Sequence, residues 1–457
     1  MTSAMSLMMG VSGIRGVVGK TMTPELARDA GLAFANFLGG GRVVLGRDSR
    51  ESGPTFRSAM AAGLTAGGCD VVDLGLVTTP GAGLMVRLLG AAGGVVITAS
   101  HNPIEYNGIK FLTGRGCAPD KQAAEDIIGR IKSGTFEQIG AEARGRETYD
   151  PSADERHIQR VLGVVHVERI RTAAFHVVLD SVNGSGGPSG RALLEALGCT
   201  VKHLDAEPTG RFTRSPEPTK ENLEHVAAVV GQAEAAVGFA QDPDADRLAI
   251  IDQRGRYVGE EYTLGLAAVQ ILSTRPGAVV VNLSTSRVVD DVAGRFPGAS
   301  VIRCAVGEAN VVEAMLEHDA VLGGEGNGGV IDPRVGWVRD SLAAMALTLE
   351  LLATRDEALS AVVDSLPRYV MVKQKFECAS DRIPHIIEAV RRRFRRERIT
   401  DIDGIRIDWP RGWVHVRGSN TEPVMRLIAE ARTEAEATDL AARVRAVMGD
   451  GKPDGSD

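Results

Sequence analysis

Aromatic side chains are scarce in this chain of 457 residues, of which Phe, Trp and Tyr together make up 4%. Proteins that bind single-stranded nucleic acid stack bases on aromatic side chains, so this scarcity argues against such a role. The formal net charge of −7 argues in the same direction, because nucleic-acid-binding surfaces are basic. We therefore expect no nucleic-acid partner.

Cysteine is also sparse, since the five cysteines are scattered and form no Cys-x-x-Cys pair. An odd number of isolated thiols is typical of a reducing compartment, so we expect free cysteines and a cytoplasmic location. No apolar run reaches the roughly 18 residues that a membrane-spanning helix needs. The first residues lack a basic segment followed by an apolar core, so we expect neither a signal peptide nor a membrane partner.

Glycine, by contrast, is abundant, with 54 residues that cluster between short apolar runs. These runs alternate with helical stretches, a pattern typical of βαβ units in a mainly parallel sheet. One order of apolar strand, polar loop, helix, strand, helix and short strand occurs three times, beginning near residues 43, 177 and 279. We interpret it as three copies of one α/β domain, although any chain of βαβ units shows some such similarity.

Polar or Gly-containing segments near residues 134–149, 255–260 and 364–368 mark the predicted domain boundaries. They divide the chain into three α/β domains with mixed, mainly parallel sheets: domain I at 1–150, domain II at 151–256 and domain III at 257–366. Residues 367–448 have a different pattern of strands and helices, which predicts a smaller α+β domain IV. The polar, Gly-rich residues 449–457 are predicted to be a disordered tail.

The first candidate loop is the hexapeptide Thr-Ala-Ser-His-Asn-Pro at residues 98–103, which follows the apolar run 94–97. Open α/β sheets bind ligands at the carboxyl ends of such strands. Ser, Asn and Pro are also common turn residues, so an ordinary turn is the alternative. If the loop is a site, Ser100 is a nucleophilic hydroxyl with a proton-transfer group, His101, beside it.

The second candidate loop carries three carboxylates at alternate positions, Asp242, Asp244 and Asp246. In an extended or turning loop they can converge, and their mutual repulsion is relieved by a bound cation. Oxygen ligands favour Mg²⁺ or Ca²⁺ over zinc, and Mg²⁺ often completes its shell with a phosphate. A solvated acidic turn is the alternative.

The third candidate loop has five glycines among the seven residues 323–329. Its only polar side chains, Glu325 and Asn327, suit the vicinal hydroxyls of a sugar, and a flexible hinge is the alternative.

The fourth candidate loop spans residues 417–423, with Arg426 beyond it. It combines cations, hydroxyls and an amide that suit a phosphate group, with an ordinary turn as the alternative. Its predicted phosphate-binding residues are Arg417, Ser419, Asn420, Thr421 and Arg426.

The four loops together suggest a phosphoryl transfer in which a cation beside Ser100 carries charge and a second phosphate is held in domain IV. Six segments in this order resemble the α-D-phosphohexomutase family and span nearly the whole chain. They are residues 12–16, 98–103, 107–110, 242–247, 324–328 and 417–426. The resemblance implies three α/β domains and a fourth domain around a central cleft.

The resemblance also implies a reaction cycle and roles for residues. Ser100 carries a phosphoryl group in the resting enzyme, and Mg²⁺ is held by this phosphoserine with Asp242, Asp244 and Asp246. The phosphoryl group passes to a sugar phosphate, which gives a sugar 1,6-bisphosphate that returns its other phosphoryl group to Ser100. The resemblance further assigns proton transfer to Arg15 and Lys110 and the orientation of the phosphoserine region to Arg247.

The chain departs from the family pattern where many relatives have serine in place of Asn327 and histidine in place of Gly329. An acid/base role of that histidine would fall here to Lys110, to His101 or to no residue. His415 could substitute for it, but the alternation with its neighbours suits a plain strand residue equally well.

The substrate is expected to be a hexose or hexosamine phosphate. The Gly-rich loop resembles both the archaeal-type phosphoglucosamine mutases and the phosphomannomutase/phosphoglucomutase branch, and glucosamine phosphate is slightly favoured. A metal-dependent sugar-phosphate phosphatase and a non-catalytic sugar-phosphate sensor are the alternatives from other functional classes. The chain is expected to be a monomer or a homodimer.

Overall fold

The computed structural model describes residues 7–418 and 424–449. Within them helices and strands alternate as the sequence predicts, and the strands form four sheets that follow one another along the chain. The predicted phosphate-loop residues Ser419, Asn420 and Thr421 lie outside the described residues, as does the predicted tail beyond Gly449. None of the described helices is long and apolar enough to cross a membrane.

The first sheet has seven strands in the order β1-β2-β6-β5-β3-β4-β7. Its strands are β1 (Met8–Gly10), β2 (Gly13–Val17), β3 (Gly41–Arg47), β4 (Cys69–Leu76), β5 (Gly93–Ile97), β6 (Tyr106–Thr113) and β7 (Glu147–Tyr149). Its helices are α1 (Pro24–Leu38), α2 (Gly53–Ala66), α3 (Thr79–Leu88) and α4 (Lys121–Ser133). Strand β5 lies in the middle of this sheet and is buried along its whole length, so its carboxyl end presents residues 98–103 at the edge of the core.

The ends of helix α1 show how local sequence sets an element. The Thr23 hydroxyl accepts a hydrogen bond from the backbone N–H of Leu26, and Pro24 occupies the first turn, where its missing N–H is not needed. Gly39 ends the helix in the left-handed conformation with a φ of 72°. Both ends agree with the sequence prediction.

The predicted linker at 134–149 differs from the prediction because it ends in a strand. Strand β7 adds to the first sheet parallel to β4, which would otherwise be its edge. Arg57 on α2 holds this strand in place, since its guanidinium pairs with Glu147 and lies 2.8 Å from Asp73. A short polar edge strand of this kind covers the unpaired backbone groups of the sheet.

The second and third sheets have four strands each, in the orders β11-β10-β8-β9 and β13-β12-β14-β15. The second sheet and its helices comprise α5 (Ala153–Leu162), α6 (Val167–Ala173), β8 (His176–Asp180), α7 (Gly186–Ala196), β9 (Thr200–Leu204), α8 (Glu224–Gln232), β10 (Val237–Gln241) and β11 (Leu248–Asp252). The third comprises α9 (Glu260–Thr274), β12 (Ala278–Asn282), α10 (Val288–Ala293), β13 (Ser300–Cys304), α11 (Glu308–Glu317), β14 (Leu322–Glu325), β15 (Gly329–Ile331), α12 (Ser341–Arg355) and α13 (Leu359–Asp364).

Each of the first three sheets contains the same unit, in which parallel strands are followed by one antiparallel hairpin. The hairpins are β5–β6, β10–β11 and β14–β15. The first three candidate loops connect these three hairpins, so they occupy equivalent places in the three units. The prediction of three similar α/β domains with mixed, mainly parallel sheets is therefore confirmed.

The fourth sheet is antiparallel throughout, in the order β16-β20-β19-β18-β17, and agrees with the predicted α+β domain. Its elements are β16 (Val370–Glu377), α14 (Ile383–Arg393), β17 (Arg398–Thr400), β18 (Ile405–Trp409), β19 (Gly412–Gly418), β20 (Val424–Ala431) and α15 (Glu434–Met448).

Helix α12 joins the second unit to the third. It is buried on almost every face, and it packs against α9 of its own unit and against α5, α6 and α7 of the second. One apolar core accordingly runs through both units, whereas the first and fourth units have cores of their own. This shared core fixes the loop after β10 relative to the loop after β14.

Candidate active site

Ser100 lies just beyond the end of β5, buried and with a φ of 49°. A non-glycine residue in this left-handed region is uncommon and needs surrounding support. The support includes Thr98, whose hydroxyl accepts a hydrogen bond from the Ser100 N–H at 2.9 Å. The Ser100 hydroxyl in turn donates to Asp242 Oδ2 at 3.0 Å, which joins the first candidate loop to the second.

Arg50 closes around the backbone of the Ser100 loop. Its guanidinium donates to four backbone carbonyls, those of Ser100, Asn102, Pro103 and Tyr106, at 2.6–2.9 Å. Its charge is balanced by Asp48, 3.2 Å away and also fully buried. Arg50 is thus a fixed part of the loop's structure. The sequence does not reveal this role, because the carbonyls that Arg50 binds lie 50 to 56 residues further along the chain.

The second candidate loop brings its three carboxylates together, as the sequence predicts. Asp242, Asp244 and Asp246 are buried, and one oxygen of each lies within 4.8 Å of the others. Lys110 Nζ holds the Oδ2 atoms of Asp244 and Asp246, at 2.6 and 2.9 Å. Thr79, a residue that sequence analysis missed, donates its hydroxyl proton to Asp244 Oδ2 at 2.5 Å.

This arrangement fits a divalent cation. The Oδ1 atoms of Asp244 and Asp246 are buried and have no hydrogen-bond partner, although buried polar atoms are almost always paired. Their Oδ2 atoms are fixed by protein donors, so two oxygens remain free to act as ligands. An all-oxygen set of this kind suits Mg²⁺, which takes few protein ligands.

The electrostatics of the site follow from burying many charges together. Burial, Asp246 and Asp244 raise the pKa of Asp242 well above its usual range. Burial also acts to raise the pKa of Asp246, but Arg339 and Lys110 outweigh it and hold this pKa well below its usual range. For Lys110, burial acts to lower the pKa, and Asp244 and Asp246 raise it above its usual value. Lys110 is therefore a cation here.

The other predicted catalytic residues surround Ser100. His101 Nδ1 lies 3.3 Å from Ser100 Oγ, and its pKa is lowered well below the usual value by burial, Arg247 and Arg15. Arg15 donates to the side-chain oxygen of Asn102 at 3.0 Å. Arg247 bonds through its backbone N–H to Asp242 Oδ1 at 3.1 Å, and its Nε lies 3.9 Å from Asp246.

The third candidate loop is shorter than predicted. Residues 323–325 belong to β14 and Gly329 begins β15, so only residues 326–328 form the turn. The glycines at the strand positions make room for neighbours, since a side chain at 323 would collide with Met315. The segment is therefore a hairpin with a buried strand, and the alternative of a flexible hinge is wrong.

Glu325 is buried at the end of β14, and both its oxygens are hydrogen-bonded. Oε1 accepts from Asn282 at 2.8 Å and from the Gly307 N–H at 3.2 Å. Oε2 accepts from Arg339 at 2.6 Å, and the Asn327 amide lies 3.5 Å from it. Arg339 also reaches Asp246, so it links the β14–β15 hairpin to the carboxylate cluster. Nothing in the local sequence pattern around Arg339 marks these contacts, so they could not be predicted.

Arg417 and Arg426 lie directly opposite each other on β19 and β20 of the fourth sheet. Lys375 on β16 pairs with Arg426 from the other side, so three cations stand in one row across three strands. Like charges placed opposite each other destabilise a sheet, and an anion bound over them would offset this repulsion. Asp403 pairs with Arg417 at 3.1 Å.

His415 has a structural place. It is fully buried on β19, where its Nε2 bonds to the Asp403 carbonyl at 2.7 Å and its Nδ1 to the Ser284 hydroxyl at 2.9 Å. Ser284 follows β12, so His415 joins the fourth unit to the third. This placement agrees with the interpretation of His415 as a strand residue.

Four models of protein families match this chain in succession. They describe the α/β/α domains I, II and III and the C-terminal domain of phosphoglucomutase/phosphomannomutase, and they match residues 6–138, 155–255, 260–369 and 370–447. The chain belongs to the phosphoglucomutase/phosphomannomutase family. It is therefore an isomerase of the phosphohexomutase type, which acts on sugar phosphates.

Relatives of the phosphohexomutase cover nearly its whole length. A probable phosphoglucosamine mutase from Methanopyrus kandleri is 39% identical over 435 residues, which are 94% of this chain and 95% of that protein. A phosphoglucomutase/phosphomannomutase from Thermococcus kodakarensis is 37% identical over 450 residues, 95% of this chain and 97% of that one. The crystal structure of a phosphoglucomutase/phosphomannomutase family protein from Burkholderia thailandensis is 30% identical. It superposes with a TM-score of 0.85 and covers 98% of this chain and 99% of its own.

Proposed function

We propose that this phosphohexomutase interconverts glucosamine 6-phosphate and glucosamine 1-phosphate through a phosphoserine at Ser100. The observation that carries the proposal is the contact of the Ser100 hydroxyl with Asp242, at the edge of a buried carboxylate cluster that has two unpartnered oxygens. Phosphoryl transfer needs a nucleophile, a cation site and basic groups that face them. The choice of glucosamine is supported by the name of the Methanopyrus kandleri relative.

The proposed first step transfers the phosphoryl group from phosphorylated Ser100 to a hydroxyl of the bound sugar phosphate. The bond from phosphorus to Ser100 Oγ breaks, and a bond from phosphorus to the sugar oxygen forms. The proton of the sugar hydroxyl passes to a base, and Ser100 Oγ regains a proton. Asp242, Asp244, Asp246 and the phosphoserine would hold Mg²⁺, whose positive charge would offset the charge of the phosphoryl oxygens.

His101 and Lys110 take different parts in this chemistry. His101 is neutral because its pKa is lowered, so it can accept the proton that Ser100 Oγ loses when it attacks the bisphosphate in the second step. Lys110 keeps its proton because Asp244 and Asp246 raise its pKa, so it supplies a fixed positive charge and hydrogen-bond donor. Arg15 and Arg247 complete the positive surroundings of the phosphoserine. In the second step, the sugar 1,6-bisphosphate returns its other phosphoryl group to Ser100, which restores the enzyme.

We propose that the fourth unit holds the phosphate that does not react. Arg417, Arg426 and Lys375 provide a row of cations, and the predicted residues Ser419, Asn420 and Thr421 would add hydroxyl and amide donors. Glu325 and Asn327 would contact the sugar between the two phosphates. A trace of sugar 1,6-bisphosphate would act as activator, because it phosphorylates Ser100.

A phosphomannomutase/phosphoglucomutase activity is the second candidate. It is favoured by the Thermococcus kodakarensis relative and by the chemistry of Glu325, whose carboxylate accepts hydrogen bonds from an ammonium and from hydroxyls alike.

The remaining proposals concern the domain boundaries, the cellular location and the oligomeric state. The division into domains at 150, 256 and 366 is supported by the four sheets, each of which falls inside one segment. The free state of all five cysteines supports a reducing, cytoplasmic location. The monomeric or homodimeric state stays a prediction.

The proposed function is tested by a coupled assay with Mg²⁺ and a trace of glucose 1,6-bisphosphate. Glucosamine, mannose and glucose 6-phosphates are compared on the unmodified protein, on Ser100→Ala and on Ser133→Ala, a control on the exposed end of α4. We expect glucosamine 6-phosphate to be preferred and only Ser100→Ala to lose almost all activity. Comparable rates for all three sugars would contradict the choice of glucosamine, and steady release of inorganic phosphate would favour a phosphatase.

A further inference from the structure

Arg339 forms ion pairs with both the carboxylate cluster and the hairpin of β14 and β15, which we call the sugar hairpin. Its Nη2 lies 2.8 Å from Asp246 Oδ2, and its Nη1 lies 2.6 Å from Glu325 Oε2. Its Nε lies 2.8 Å from Glu308 Oε2, at the first turn of α11. The side chain is 11% exposed and comes from the loop just before α12. Three nitrogens of one guanidinium thus meet carboxylates from three separate elements.

Gly329 makes the room that Arg339 needs. A Cβ atom at position 329 would lie 2.2 Å from Arg339 Cδ and 2.8 Å from Arg339 Cγ, closer than real atoms approach. The arginine cannot simply swing aside, because its two Nη atoms are hydrogen-bonded to Asp246 and Glu325 and its Nε lies against Glu308. The space that a side chain at position 329 would occupy is therefore filled from another element, by the stem of Arg339.

We propose that Arg339 is a positioning residue of the mutase that couples cation binding to sugar-phosphate binding, and that Gly329 is glycine to admit it. This proposal rests on the proposed function. By holding Asp246 Oδ2, Arg339 leaves Asp246 Oδ1 as the ligand atom; by holding Glu325 Oε2, it fixes the carboxylate that faces the sugar. Groups that orient metal ligands strongly affect metal affinity. A lysine carries the same charge but lacks the planar fork that reaches several carboxylates.

Neighbouring residues provide control variants, each of which affects either the carboxylate cluster or the sugar hairpin but not both. Asn282 holds Glu325 and does not contact the carboxylate cluster. Thr79 holds Asp244 and does not contact the sugar hairpin. Gly336 has open space where a Cβ would be added, so alanine is accepted there. The backbone of Gly329 lies outside the left-handed region, so Gly329→Ala disturbs Arg339 without straining the chain.

The experiment measures two binding constants on protein freed of phosphate, by titration calorimetry, with no turnover. One is for Mg²⁺ alone, and the other is for glucosamine 6-phosphate in the presence of EDTA. We expect Arg339→Lys and Gly329→Ala each to weaken Mg²⁺ binding about 10- to 100-fold and sugar-phosphate binding by a comparable factor. Asn282→Ala should weaken only the sugar phosphate, Thr79→Val only Mg²⁺, and Gly336→Ala neither. Circular dichroism checks that each variant is folded.

The coupling is overturned if Arg339→Lys changes only one of the two constants, or neither. The role of Gly329 is overturned if Gly329→Ala behaves like Gly336→Ala. If the unmodified protein binds no glucosamine 6-phosphate, the choice of that sugar fails, and the coupling is then decided by Mg²⁺ alone. In that case the Glu325→Gln variant must bind Mg²⁺ with a different affinity from the unmodified protein, because Arg339 joins the two carboxylates. An unchanged Mg²⁺ affinity would contradict the coupling.

Discussion

Replacing Arg50 with methionine should release the Ser100 loop while leaving the length and apolar bulk of the side chain nearly unchanged. The substitution removes the donors of four backbone carbonyls and the partner of the buried carboxylate of Asp48. Thr98 then remains as the side-chain donor to Asp48, with a contact of 2.6 Å. The left-handed conformation of Ser100 loses its main support from outside the loop.

The size of the effect follows from the burial of both partners. Breaking a buried ion pair by removing one partner costs about 3–5 kcal/mol. The four carbonyls add to this, but their contributions are not additive with that of the pair. We therefore expect the local opening of the loop to become easier by about 4 kcal/mol, which corresponds to a roughly 1000-fold faster hydrogen exchange.

The measurement is hydrogen exchange at the backbone amides of Asn102 and Tyr106, which bond to the Ala99 and Pro103 carbonyls inside the loop. The matched control is Arg28→Met, an exposed arginine of α1 whose ion pair with Asp29 is long, at 3.8 Å. The control should leave these amides unchanged. A less than tenfold change in Arg50→Met would refute the reasoning, because the loop would then be held by its own turns.

Two further predictions concern the carboxylate cluster and the junction with the fourth unit. Asp244→Asn removes the charge of a buried ligand, so Mg²⁺ binding measured by calorimetry should weaken at least about 100-fold, and unchanged binding would place the cation elsewhere. His415 is neutral in the folded protein because burial lowers its pKa to about 4, whereas the unfolded value is about 6.5. The unfolded state thus binds the extra proton first, so the stability contributed by this group is complete above about pH 6.5 and falls by about 3 kcal/mol as the pH drops to 4. Thermal unfolding between pH 7.5 and 4.5 should show a steeper acid loss for the unmodified protein than for His415→Gln, and parallel curves would contradict this.

Much of the fold follows from local pattern in the sequence. The apolar runs that became β5 and β10 are short, buried and followed by polar residues, so both the strands and the sites at their ends could be predicted. The threefold repetition of the strand and loop pattern strengthened this prediction, because the three hairpins occupy equivalent places in their units. Strand β7 could not be predicted in this way, since its three residues are exposed and are held in the sheet by Arg57 from a distant helix.

The parts of the site that escaped prediction are those made by long-range contacts. Arg50 and Arg339 act through backbone carbonyls and carboxylates that are far from them in the chain, and no periodicity or spacing signals such contacts. Glu325 was predicted as a sugar ligand, and its contacts with neighbouring donors, which hold both of its oxygens, were not predicted. The chemistry of a loop can therefore be predicted from its residues, whereas the network that holds it needs the tertiary structure.

The central claim is that Ser100 carries the phosphoryl group between the two positions of the sugar. The most direct test loads the protein with radiolabelled phosphate from labelled glucose 1,6-bisphosphate, identifies the labelled residue, and mixes the labelled protein with unlabelled glucosamine 6-phosphate for a single turnover. The account predicts that the label sits on Ser100, moves into sugar bisphosphate and monophosphate, and fails to load on Ser100→Ala. Label on another residue, or its release as inorganic phosphate, would contradict the account.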